Sequence, residues 1–381
     1  MRSHWYSRGN DISLGRKLRD VNWGLVLLVS LIASVGFVML YAAAGGSVDP
    51  WADRQVIRFG FGLLVMIAIA VIDIRIWMRL SYVIYAIGVV LLVAVELFGR
   101  IGMGAQRWLD LGFFHVQPSE IMKIALILTL ARYFHGLSYD DTGRIRWLLL
   151  PLMIVLVPVG LVMKQPDLGT AMLLLMSSGA VFFFAGVRWW KFLLVIAGGL
   201  ASLPVAWSLL HDYQRKRVLT FMNPEEDPLG SGYHILQSKI ALGSGGFTGK
   251  GFMQGSQSHL SFLPEKQTDF IFTMLAEEHG LIGALALLAL YMLLIAYGYA
   301  IALRARSQFA RLVAGGITVM MFLYVFINVA MVSGLVPVVG VPLPLVSYGG
   351  TAMMTLLVGM GLLINAYVHR DAEISRHMSG L

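Results

Sequence analysis

Apolar residues in this chain neither alternate singly with polar ones nor recur every third or fourth position. They run on for about 20 residues at a time, the length a helix needs to cross a hydrocarbon layer of about 30 Å. Such runs lie near residues 23–44, 56–72, 79–98, 118–135, 147–163, 168–186, 189–210, 270–302, 309–333 and 346–368. They predict an all-α integral membrane protein of about ten transmembrane helices. One large extracytoplasmic loop, about 211–269, separates the seventh helix from the eighth.

Orientation follows from the cations in the short loops, because Lys and Arg are retained on the cytoplasmic side. Arg2, Arg8, Arg16, Lys17, Arg19, Arg75, Arg79, Arg132, Arg144, Arg146, Arg188, Lys191, Arg304, Arg306, Arg311, Arg370 and Arg376 fall on the side of the N-terminus. Only Arg54, Arg58, Arg100, Arg107 and Lys164 fall in the opposite short loops. Both termini are therefore expected in the cytoplasm, with a segment 1–22, one polytopic membrane domain over 23–368 and a tail over 369–381. The AAAGG run at 42–46 mimics a signal-peptidase site, but the apolar run before it is longer than the 7–15 residues of a signal-peptide core, so cleavage is not expected.

Composition agrees and narrows the classes. Hydrophobic residues make up 58% and charged residues 13%, against about 45–50% and about 25% in soluble domains. The net charge of +8 is scattered between apolar runs with no basic and aromatic stripe, which argues against nucleic acid as a partner. Cysteine is absent, so disulfide and thiol chemistry are excluded.

Several polar clusters carry candidate chemistry. FLPEKQTDFIF (262–272) sets Asp269 at the edge of an apolar run, where a charge is costly. Capping of the next helix is one explanation; a carboxylate whose pKa is raised to serve as a general base is the other. Glu277 and Glu278 follow in AEEHG. GAQRWLDLG (104–112) and KQPDLGT (164–170) bring Arg107, Lys164 and Asp167 to the same outer side, either as headgroup-level anchors with Trp108 or as a site for a pyrophosphate. QPSEIMK (117–123) opens the fourth span with Glu120 and Lys123 three apart, which predicts an ion pair at membrane depth.

In the long loop, GSGGFTGKG (243–251) fails the phosphate-loop pattern twice, at Ser244 and at Gly251. It reads as a flexible surface segment, or as a backbone platform approached closely by a polar ligand. VPLPLVSYGGT (341–351) reads as a rigid outer turn, with broken backbone lining a cavity as the alternative.

Taken together, GYHILQSKIALGSGGFTGKG, GSQSHLSFLPEKQTDFIFTMLAEEHG, GAQRWLDLG, QPSEIMK, KQPDLGTA and PLPLVSYGG closely resemble the SEDS family (shape, elongation, division and sporulation), over about residues 20–368. GSQSHLSFLPE is more like the elongation branch than the division branch. Gln267 departs from the His that many relatives place before Thr-Asp, so no catalytic side chain is expected there. The resemblance implies a ten-span peptidoglycan glycosyltransferase of the bacterial inner membrane. It would polymerise lipid II, an undecaprenyl-pyrophosphate disaccharide-peptide, beside a class B penicillin-binding protein and other elongation-complex membrane proteins. By the same resemblance Asp269 matches the essential aspartate, and Glu120 and Lys123 match the fourth-span charge pair.

That chemistry needs a base for the attacking hydroxyl and positive charge for the departing pyrophosphate. Asp269 is the expected base, with Arg107, Lys164, Arg215 and Lys239 as candidate cations and Asp167 and Glu277 as supporting acids. A divalent cation, Mg or Mn, is a candidate helper. A lipid II flippase or a noncatalytic scaffold would use the same spans without needing the outer acid.

Overall fold

The structure, a computed structural model, describes residues 13–102, 105–110, 112, 115–209, 215, 219–223, 231–259 and 265–375. Lys216, Arg217 and most of NPEEDPLG, at 224–230, lie outside the described residues. The first half of the chain forms α1 (Leu14–Asp20), α2 (Trp23–Ala43), α3 (Ala52–Val71), α4 (Ile74–Phe98), α5 (Pro118–His135), α6 (Tyr139–Thr142), α7 (Ile145–Lys164), α8 (Leu168–Phe184) and α9 (Trp189–Leu209). The long loop carries α10 (Ser231–Ser244) and α11 (Ser256–His259), followed by α12 (Ile271–Arg304), α13 (Gln308–Val332) and α14 (Gly350–Val368). Each apolar run read from the sequence contains a helix, the last of them beginning only at Gly350. Among the described residues seven of them, α2, α3, α4, α7, α12, α13 and α14, are long and apolar enough to cross a membrane.

One element departs from the all-α expectation. Between α4 and α5 the chain forms a small antiparallel sheet of β1 (Arg100–Gly102), β2 (Ala105–Asp110) and β3 (His115–Val116), in that order. Trp108 pairs with Arg100, and Leu109 with Val116. The strands are too short to give a periodic signal, so the sequence shows only a loop here. Their consequence is positional: Arg107 stands on a hydrogen-bonded ribbon instead of a loose loop.

Burial is arranged as a bilayer demands. On α7 and α9, Leu149, Leu150, Met153, Leu194 and Val195 are exposed, because their solvent is lipid. α5 is the opposite case: every residue except Ile121 and Tyr133 is buried, including Glu120, Lys123, Thr129, Arg132 and His135. It is packed by α4, α7, α8, α13 and α14, so charges that disqualify it as a simple span are enclosed by protein. α3 lies against α14 through small residues: a side chain at Gly361 would meet the Met66 carbonyl and Ile69, and one at Gly62 would meet Leu357. Asn365 of α14 closes the end of α3 by donating to the carbonyls of Ile69, Ala70 and Ile72 at 3.0, 3.1 and 2.5 Å.

α12 is broken at Gly280, whose φ and ψ are 65° and −164°. The glycine-rich stretch 245–251 docks into that break and replaces the lost helical bonds. Lys250 N donates to Glu277 O and Gly251 N to Glu278 O, both at 3.0 Å. Leu281 N and Ile282 N donate in turn to Gly246 O and Phe247 O, at 2.9 and 3.1 Å. Much of GSGGFTGKG is exposed, as expected of a surface segment, but it is fixed in place: its glycines allow backbone to approach backbone at a helix interruption. Gly280→Ala should lower thermal stability by more than about 1 kcal/mol, since a Cβ is strained at that φ and would meet the docked stretch. Gly198→Ala, in open space on α9, should leave the melting temperature unchanged or raise it. Thermal melts of the purified variants, followed by tryptophan fluorescence, check the contrast.

Candidate functional site

Asp269 does not cap α12. The capping position is Phe270, and no side-chain cap bond forms. The three residues leading into the helix are instead held through their backbone. Gln267 O accepts from Tyr348 N at 2.8 Å, Thr268 O from Ser347 Oγ at 2.5 Å, and Asp269 O from Asn328 Nδ2 at 2.9 Å. Two of those partners belong to the 341–351 segment, which turns at 344–346 and is packed inside the protein: Val341, Leu343, Leu345, Val346 and Ser347 are all buried. Its polar groups are satisfied one by one. Val341 O accepts from Asn328 at 2.7 Å, Leu343 N donates to Ser347 Oγ at 2.8 Å, Pro344 O accepts from Tyr291 OH at 2.5 Å, and Ser347 O accepts from Gln55 Nε2 at 2.9 Å. Non-helical backbone can lie this deep only where such partners replace water.

The Asp269 carboxylate is partly buried and faces Gly340. Burial and the nearby Glu265 push its pKa up, Arg107 pulls it down, and the balance leaves it at about 6. A carboxylate at that value is largely ionised at neutral pH yet more basic than an ordinary one, the compromise a general base requires. Nearby Lys266 has a lowered pKa because burial outweighs the attraction of Glu278.

Arg107 reaches this point from β2. Its Nη2 donates to Pro166 O at 2.8 Å, and its Nε lies 3.7 Å from Asp167 Oδ2. Asp167 caps α8, accepting from Thr170 N at 3.2 Å and Thr170 Oγ1 at 2.9 Å. Three distant stretches of sequence therefore place Arg107, Asp167 and Asp269 in one neighbourhood. Arg107 is the cation that acts electrostatically on Asp269.

Glu120 and Lys123 form the expected pair, at 2.6 Å and almost fully buried. Tyr324 of α13 completes it: Lys123 Nζ donates to the phenol oxygen, which donates to Glu120 Oε2 at 3.0 Å. Lys123 also lies over the Tyr324 ring, 4.6 Å from its centre. Every charge in the trio has a partner, as burial demands.

The remaining expected residues lie elsewhere. Lys164 is exposed and pairs with Glu96 at 3.3 Å. Arg215 donates to Trp207 O and Ser208 O, at 3.1 and 2.8 Å, at the end of α9. Lys239 is exposed on α10, its stem over Gly334. Glu277 is fully buried, and its Oε1 accepts from Lys250 Nζ at 2.8 Å and Gln257 N at 2.9 Å, which fastens the docked loop and α11 to α12. Asn328, Tyr324, Ser347 and Gln55 were not among the sequence candidates. For Asn328 a signal existed: it is a lone amide deep in the apolar run of α13. Among the described residues no three His, Asp or Glu are placed together as a metal site. Two grooves of about 460 and 410 Å³ lie away from Asp269, one lined by Asn22, Tyr297, Arg304 and Tyr367, the other by Met176, Phe183, Phe192 and Tyr299.

Residues 22–372 match the family model described as cell cycle protein, which unites FtsW, RodA and SpoVE. The chain belongs to this SEDS family. It is 47% identical over 351 residues to the peptidoglycan glycosyltransferase MrdB of Escherichia coli K12, covering 91% of this chain and 92% of that protein. Stage V sporulation protein E of Bacillus subtilis is 37% identical over 350 residues, covering 90% and 95%. Among solved structures, a chain from a study of how a peptidoglycan synthase complex coordinates polymerization and crosslinking aligns with a TM-score of 0.81 at 34% identity, covering 93% of this chain and 99% of that one. The rod shape determining protein RodA of Thermus thermophilus aligns at 0.69 with 32% identity, covering 93% and 98%. This SEDS chain is a multi-pass membrane protein.

The buried trio yields a stability prediction. Glu120→Ala or Lys123→Ala strands a charge in the core and should cost about 3–5 kcal/mol. The exchange Glu120→Lys with Lys123→Glu should recover more stability and activity than either single change, measured by thermal melts and glycan synthesis.

Proposed function

We propose that this chain is a peptidoglycan glycosyltransferase that polymerises lipid II into glycan strands during cell-wall elongation, with Asp269 as general base. The observation that carries the reading is a backbone-clamped carboxylate of raised pKa beside a cation. Its 47% identical relative is named for the same activity.

In the reaction the 4-hydroxyl of one lipid-linked sugar attacks the anomeric carbon of another. A carbon–oxygen bond forms between the sugars, the bond to the lipid pyrophosphate breaks, and Asp269 takes the hydroxyl proton. Arg107 is the cation best placed to stabilise the departing pyrophosphate, since its charge acts on Asp269 and Lys164 stands exposed beside Glu96. The anomeric pyrophosphate bond is already activated, so no nucleotide is needed. A flippase or a scaffold would have no use for a base of this kind.

The ten apolar helices support ten crossings, the shorter α8 and α9 and the enclosed α5 included. With the cation distribution of the loops, they support cytoplasmic termini over 1–22 and 369–381 in the bacterial inner membrane, with 211–269 facing outward. A class B penicillin-binding protein is the partner that would crosslink the strands, consistent with the synthase complex that contains a similar chain.

Purified Asp269→Asn protein should fold normally and extend glycan from defined lipid II about 10²–10⁴-fold more slowly. Near-wild-type synthesis would remove Asp269 from the mechanism. The base acts when deprotonated, so the wild-type rate should rise with pH through about 6 and then level off. Because Arg107 lowers that pKa and Glu265 raises it, Arg107→Ala should move the acid limb to higher pH and Glu265→Gln to lower pH. Initial rates across a pH series give the sign of each shift.

A further inference from the structure

Asn328 stands at the centre of the clamp around Asp269 and is fully buried. Its Nδ2 donates to two carbonyls, Asp269 O at 2.9 Å and Val341 O at 2.7 Å. These contacts fix the amide's orientation, because the flipped form would set its oxygen against two other oxygens. The two carbonyls flank the carboxylate: one belongs to Asp269 itself, the other to the residue after Gly340, which the carboxylate faces. A single side chain thus sets the gap between the reacting group and its wall. One helical turn earlier on the same face of α13, Tyr324 holds Glu120 and Lys123.

We propose that Asn328 is a positioning residue for glycosyl transfer, tying the Asp269 and Val341 carbonyls together and so fixing where the Asp269 carboxylate stands. α13 then serves as a rigid rod between the buried charge trio and the reacting acid. The inference rests on Asp269 as the base. Without Asn328 both carbonyls lose their donor, the turn loosens, and water reaches the carboxylate. The charged groups that act on that carboxylate are Glu265 from its own segment and Arg107 from β2. Neither bonds to Asn328, so the substitution leaves both in place.

The test measures glycan synthesis from defined lipid II by Asn328→Ala, beside the wild type and Asp269→Asn, across a pH series. Expected are normal insertion and monodispersity, a kcat about 10²-fold lower with KM for lipid II unchanged, and an acid limb moved to lower pH as the carboxylate becomes hydrated. A merely structural asparagine would reduce the folded fraction without moving the limb. A wild-type kcat, or a loss that matches the folded fraction with the limb in place, overturns the proposal. Should Asn328→Ala not be recovered folded, Asn328→Ser is read by the same criteria, since its hydroxyl donates one bond where the amide donates two. Failure of the underlying reading looks different, because Asp269→Asn would then remain active.

Discussion

A chain in a bilayer cannot leave backbone N–H and C=O groups to water, and the architecture around Asp269 follows from that constraint. The segment 341–351 is buried without being helical, so each of its exposed carbonyls and amides needs a named partner. Asn328, Tyr291, Gln55, Ser347 and the 267–269 backbone supply them. Those partners come from α13, α12 and α3, which makes the entry to α12 a fixed point among three helices. Precision at the carboxylate is thus a by-product of satisfying buried backbone.

The same constraint governs the interruption of α12. At Gly280 the helix gives up its own bonds, and the glycine-rich stretch supplies two donors and two acceptors in their place. Lys250 and Glu277 then fasten the stretch with an ion pair at 2.8 Å. This joins residues 245–251 of the long loop to the helix that begins beside Asp269, so that stretch and the proposed base belong to one framework.

Charge is handled with equal economy. Inside the bundle, Glu120 and Lys123 neutralise each other with Tyr324 hydrogen-bonded to both, and Arg132 donates to the carbonyls of Met78 and Arg79 while lying 4.2 Å from the centre of the Tyr82 ring. Asp269 differs in kind: its carbonyl is held by Asn328, while its carboxylate sits between the opposing fields of Glu265 and Arg107. Burial, with Glu265 outweighing Arg107, raises its pKa to about 6, which suits the general base proposed for it.

Much was legible in the sequence, because hydropathy and short spacings are local properties. The positions of the apolar helices, the Glu120–Lys123 pair three residues apart and the isolated acid at 269 all follow from them. The sheet that carries Arg107 was not legible, since its strands are too short to be periodic. Nor were the docking of GSGGFTGKG, the burial of PLPLVSYGG or the roles of Asn328 and Tyr324. Lys164 and Glu277 looked alike as outer charges, yet one is an exposed partner of Glu96 and the other a buried fastening for a loop. Such outcomes depend on pairings across long stretches of chain, as from Gln55 to Ser347 or Asp269 to Asn328, and a hydrogen bond of that kind leaves no local mark. The sequence by itself determined which segments are apolar enough to suit a membrane and which charges they carry; the tertiary structure alone decided which of those charges meet a partner, because the pairings join residues far apart in the chain.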